Sequence, residues 1–181
     1  TAVTYSVSDT ATNAITYSSG LAEAADITIT GAATTAENAN TIMAAGNSGD
    51  TTIAGVTDTL VNLLTASIGS NDTITTMIAS SANGANTTAT AAQVTALRAL
   101  DTGTNIGTLT TSSVDVTDTY AALAAIEDHT DLGTVVVSNA ITMAQAEALT
   151  TGIDSYTEIR DTWTGLMNDA DATASTVAGT V

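Results

Sequence analysis

An apolar β-branched residue, any residue, then Asp-Thr: the chain spells this four times. The four are Val7-Ser8-Asp9-Thr10, Val56-Thr57-Asp58-Thr59, Val116-Thr117-Asp118-Thr119 and Ile159-Arg160-Asp161-Thr162. Two places after each Asp stands Ala11, Leu60, Tyr120 or Trp163, and five places after it Ala14, Leu63, Leu123 or Leu166. A further apolar residue usually follows, at Ile15, Leu64, Ala124 or Met167. Apolar residues at that spacing form one face of a helix. The Asp is then expected at the N-cap, accepting first-turn N–H groups and facing the positive end of the helix dipole. This accounts for an acid at the same place four times without catalysis.

A second pattern alternates with the first: Thr35-Ala36-Glu37-Asn38, Thr90-Ala91-Ala92-Gln93 and Thr142-Met143-Ala144-Gln145, each running into an Ala-rich stretch that carries Ile42, Leu97 or Leu149. Thr is the expected N-cap. The amide three places on (Asn38, Gln93, Gln145) stands where Gln completes a capping box. Gly46 and Gly152 read as C-caps. Between the helices lie β-branched runs, at 3–7, 27–30, 51–56, 73–78, 108–116, 134–137 and 156–159, with Gly, Asn, Ser and Asp at the joints. The first pattern recurs at intervals of about 49, 60 and 43 residues and the second at about 55 and 52.

Strand–helix half-units of about 20 to 30 residues are short for a doubly wound sheet. They predict an α/β fold: a right-handed solenoid in which each strand lies beside the previous one, stacked as in leucine-rich repeats. Residues 1–181 are expected to form one repetitive domain, with units near 1–50, 51–105 and 106–154 and a partial one at 155–181. No capping unit is evident at either end, where run 3–7 and residues 176–181 both read as strands. Composition agrees with thin, closely packed layers: Thr and Ala supply about four residues in ten, and aromatics only 3%.

The same composition excludes chemistry. There is no Cys, hence no thiolate metal site or disulfide, and no Lys, hence no phosphate-loop lysine or Schiff base. Nineteen acids against Arg98 and Arg160 leave a net charge of -17, which disfavours nucleic acid as a partner. The two arginines are expected to pair with local carboxylates. No 18-residue apolar stretch exists to span a membrane, and no basic-then-apolar leader opens the chain.

Val-x-Asp-Thr-x-x-x-Leu helices alternating with Thr-x-Ala-Gln-Ala-x-Ala-Leu helices resemble the repeats of very large secreted bacterial surface proteins. These are S-layer-like and adhesin-like proteins, often exported with repeats-in-toxin modules. The resemblance implies an extracellular or cell-surface, non-catalytic structural protein, often calcium-dependent. It departs from them in lacking any Gly-Gly-x-Gly-x-Asp calcium roll.

His129, the single histidine, sits within Glu127-Asp128-His129-Thr130-Asp131 and reads as a solvated loop residue, since no Gly-x-Ser-x-Gly nucleophile accompanies it. Glu127, Asp128 and Asp131 supply hard oxygen ligands in a short span, a candidate Ca2+ site. Asp169-Ala170-Asp171 begins like an EF-hand loop but lacks its Gly and its closing Glu. Asp26, Asp72 and Asp131, each near the start of a strand, are expected to stack into an acidic row or to form turns. Tyr120 and Trp163 read as packing residues. Thr28, Thr30, Thr108 and Thr110 are candidates for an outward hydroxyl array that binds polysaccharide or ice. The expected partner is the chain itself, in a homo-oligomer or filament joined head to tail, because uncapped strand edges pair with matching ones.

Overall fold

In the computed structural model, the structure describes residues 4–81, 84–101, 105–126, 128–149 and 151–162. Among the described residues there are ten strands and six α-helices, single strands or pairs of strands being followed by a helix, with a 3-10 helix at Ser18–Glu23 after the first. The strands are β1 (Val7–Asp9), β2 (Ile27–Ile29), β3 (Thr51–Ile53), β4 (Val56–Asp58), β5 (Asp72–Ala79), β6 (Thr87–Ala89), β7 (Ile106–Thr110), β8 (Val114–Asp118), β9 (Val135–Ile141) and β10 (Ser155–Ile159). The helices are α1 (Ala11–Thr16), α2 (Ala36–Met43), α3 (Leu60–Leu63), α4 (Ala91–Leu100), α5 (Tyr120–Leu123) and α6 (Met143–Ala148).

Every described strand pair is parallel, and partners come from neighbouring stretches of chain. One sheet runs β1, β2, β3, β5, with β4 and β7 also on β5; the other runs β6, β8, β9, β10. Strands β3 and β4 are two halves of one extended stretch, pairing with the two ends of β5. The protein is therefore a mixed α/β fold with parallel strands in two sheets. Successive helices α1 to α5 also touch one another in order.

The register explains why so small a set of side chains suffices for a core. Ile29, Ile53, Ile74 and Ile106 are direct partners across four strands, and all four are buried. Identical branched residues stacked at strand spacing fill the layer without aromatic spacers. In the second sheet Ala89, Val116 and Val135 continue one such row, and Ile141 faces Ile159 in another.

Several expectations are corrected. The run 108–116 is not one strand: Ser112 and Ser113 form a turn closed by the Val114 N–H donating to the Thr111 carbonyl (2.9 Å), which hands the chain from β7 in one sheet to β8 in the other. Strand β6 was absent from the β-branched runs, because Thr87-Thr88-Ala89 sits in a polar stretch and is strand only by pairing with β8. Strand β1 begins at Val7, where the expected run ends. Gly46 and Gly152 do take the left-handed conformation (φ 75° and 73°), but they lie beyond the capping residues Ala44 and Leu149.

Candidate functional site

The two sequence patterns meet in one device. In all six helices the N-cap is Thr, at Thr10, Thr35, Thr59, Thr90, Thr119 and Thr142, each with its hydroxyl accepting the N–H three residues on. The Asp of the Asp-Thr pattern is thus one residue outside the cap, a correction to its expected N-cap role. The threonine backbone is extended, so its short side chain reaches the first turn; the preceding carboxylate instead folds over the threonine's own N–H. Gln93 and Gln145 complete capping boxes as expected. At Asn38 only the backbone half of that arrangement is found.

The second carboxylate oxygen does something the pattern did not disclose. Asp58 Oδ1 accepts from Thr59 N (2.8 Å) and Asn62 Nδ2 (2.7 Å), while Oδ2 accepts the Ala36 N–H at 3.1 Å. Asp118 bonds Thr119 N and reaches the Ala91 N–H at 3.0 Å; Asp161 bonds Thr162 N and reaches the Met143 N–H at 3.1 Å. Ala36, Ala91 and Met143 are the first residues of α2, α4 and α6, whose N–H groups lack intrahelical acceptors. Asp58 and Asp118 therefore tie their own helix starts to those of the preceding units, and Asp161 reaches the start of α6 in the same way. Asn139, within β9, holds the start of α5 alone, accepting the Tyr120 N–H at 2.7 Å. Asp9 makes the local half only, to Thr10 N (2.7 Å) and Asn13 Nδ2 (2.8 Å). The Asn13 bond first, then the Thr10 bond, holds its carboxyl below the ordinary value.

The 128–131 corner is built differently from its expected reading. His129 is buried, with Nε2 2.9 Å from the Leu123 carbonyl. It is a packed residue, not a solvated one. Gly152 lies directly against it: a Cβ there would stand 2.7 Å from His129 Cβ. Asp131 forms an ion pair with Arg98 through Oδ1 and accepts the Thr111 hydroxyl through Oδ2 (2.9 Å). Arg98 also donates to the Asp128 carbonyl at 2.7 Å. Asp128 Oδ1 takes the hydroxyl and N–H of Thr130 (2.7 and 2.8 Å), bonds that lower its pKa, with the Arg98 and His129 charges adding to them. Asp128 and Asp131 are thus engaged with Thr130, Thr111 and Arg98, and Glu127 lies outside the described residues. Among the described residues no three His, Asp or Glu side chains gather as a metal-holding group. Trp163, Asp169, Asp171 and residues 176–181 also lie outside them.

The expected acidic row does not form. The neighbour of Asp26 is Asp50, whose N–H it accepts at 3.2 Å; Asp72 folds back on Gly69 N (2.7 Å), and Asp131 belongs to the corner above. Hydroxyl rows do form, with membership other than expected. Thr28 is flanked by Ser8 and Thr52, and Thr52 by Thr73; Thr108 faces Thr76, while Thr110 faces Ile78 and Thr30 lies past the end of β2. Arg160 pairs with Glu158 (2.7 Å). Among the described residues no helix is long and apolar enough to cross a membrane. No protein-family model, curated protein or solved structure matches the chain.

Proposed function

We propose that this is a structural repeat protein of the cell exterior, part of a surface layer, filament or adhesin, that works through extended shape and self-association. In this reading its units wind as a right-handed α/β solenoid. The observation that carries it is the sheet order: parallel strands partnered with strands near them in sequence, in two sheets whose outer strands β1, β6, β7 and β10 each have one strand partner among the described residues. Open edges of this kind are templates for further pairing. Electron microscopy of the purified chain tests it, fibres or lattices being the expected result; uniform single particles at every concentration, or a specific turnover in a hydrolase screen, would overturn it.

A second reading, a binding surface for polysaccharide or ice, has one observation in its favour. Ser8, Thr28, Thr52 and Thr73 follow one another across four strands, a line of hydroxyls at strand spacing. Glycan-array binding or ice-recrystallisation inhibition that is lost in Thr28→Val/Thr52→Val would support it. Calcium belongs to both readings as relief for the charge of -17, and a melting midpoint unmoved by chelator at low salt would remove it.

A further inference from the structure

We propose that Asn71 is the attachment site of an N-linked glycan. The proposal rests on the reading of the chain as a protein of the cell exterior and is independent of its self-association. Asn followed two places on by Ser or Thr, with any residue but Pro between, is the acceptor motif for such glycans. The sequence spells it twice, at Asn71-Asp72-Thr73 and at Asn86-Thr87-Thr88. In a chain this rich in Thr, geometry has to choose between them.

Both asparagines are exposed, and each stands directly before a strand, Asn71 before β5 and Asn86 before β6. Their amide nitrogens differ. Asn86 Nδ2 donates to Asp115 Oδ1 at 2.8 Å, and the same oxygen accepts the Thr134 N–H at 2.7 Å. A sugar on Asn86 would crowd a contact that joins the starts of β6, β8 and β9. Asn13, Asn40, Asn47, Asn62, Asn105 and Asn139 likewise each donate from Nδ2 to a carbonyl or carboxylate of the fold. Asn71 Nδ2 donates to nothing among the described residues, and its Oδ1 takes only the Ser70 hydroxyl, at 3.4 Å. Asn38, whose Nδ2 is also unengaged, lies inside α2 and has Asn40 where the motif needs Ser or Thr.

The backbone fixes this amide at the surface. Asn71 lies in the turn between α3 and β5, where the Asp72 N–H donates to the Gly69 carbonyl (3.2 Å) and the Asn71 carbonyl accepts the Thr51 N–H (3.0 Å). The Asp72 carboxylate folds back on Gly69 N (2.7 Å). Thr73, whose hydroxyl a transferase must read, is half-exposed. The donor is an oligosaccharide carried on a lipid pyrophosphate. Asn71 Nδ2 attacks the anomeric carbon and a C–N bond forms. The C–O bond to the pyrophosphate breaks, and the lipid pyrophosphate leaves with the bonding pair. Nδ2 gives up one of its two protons to the transferase. Neither proton is bonded within the fold, so the substitution breaks no contact.

Mass spectrometry of the intact chain isolated from the cells that make it, followed by glycopeptide sequencing, tests the site. One glycan, on Asn71, is expected. In the same cells Asn71→Gln and Thr73→Ala should each remove the mass increment, Thr73→Ser should keep it, and Asn86→Gln should leave it unchanged. A chain displayed on the cell surface yet free of sugar, or with sugar on Asn86 instead of Asn71, would overturn this inference and leave the exterior reading intact. Sugar on both would uphold Asn71 and refute the part given to Asp115. A chain confined to the cytoplasm would overturn both the inference and the exterior reading.

Discussion

Replacing Asp58 by Ala should destabilise the fold far more than the same change at Asp9, although the two residues hold the same place in the repeat. Asp58 receives three bonds, from Thr59 N, Asn62 Nδ2 and Ala36 N. The first two donors lie near the surface and recover water when the carboxylate is removed. Ala36 is 0% exposed, and its N–H would be left with no acceptor. A buried donor without a partner costs about 1–3 kcal/mol. Loss of a carboxylate beside two helix starts adds about 0.3–1 kcal/mol for each. The expected cost of Asp58→Ala is therefore about 2–5 kcal/mol. Asp58→Asn should fall between, because an amide keeps one acceptor oxygen but turns an NH2 toward one of the two helices. Asp9→Ala removes only local bonds and should have the smallest effect. Equilibrium urea unfolding followed by circular dichroism measures all three. Equal midpoint shifts at positions 9 and 58 would refute the claim that the bond between units, not the local one, dominates.

Gly152→Ala should cost about 2 kcal/mol or more, because a left-handed backbone (φ 73°) and a 2.7 Å approach to His129 both oppose a side chain; thermal melting reads it. Tyr156→Phe removes a buried hydroxyl that donates to the carbonyls of Ala146 (3.0 Å) and Leu149, and should cost about 1–2 kcal/mol by urea unfolding. Ile53→Ala opens the middle of the isoleucine row and should cost about 2–5 kcal/mol in the same assay. Asp9 and Asp128 have lowered pKa values when folded, so their contribution is present above the unfolded value of about 3.9 and is lost as pH falls through the lower folded values. A melting series from neutral to strongly acidic pH should show that loss below about pH 4, and Asp9→Asn/Asp128→Asn should flatten it.

What the sequence disclosed, and what it did not, divides along distance in the chain. Helix starts at Thr35, Thr90 and Thr142 were legible because a cap and its first turn lie within four residues. The alternation Ile27-Thr28-Ile29 was legible because strand faces are a local matter. The second role of Asp58 was not, since its partner Ala36 lies 22 residues away and is brought near only by stacking. His129 was misread because flanking acids suggest water, whereas its burial is decided by Leu123 and Gly152. Strand β6 had no apolar alternation to announce it, and its extended form is imposed by β8.

The aspartate bridges also constrain how such a protein grows in evolution. The starts of α2, α4 and α6 are held by an Asp from the unit that follows, and the Asp-Thr units that supply it alternate with them along the chain. Duplicating one unit would set two of a kind side by side, either leaving a helix start unheld or aiming a carboxylate at nothing. Duplicating two together reproduces every contact, including the one across the new seam. Length in this architecture is thus gained in pairs, and a gene encoding it should carry its insertions and deletions in steps of about fifty codons.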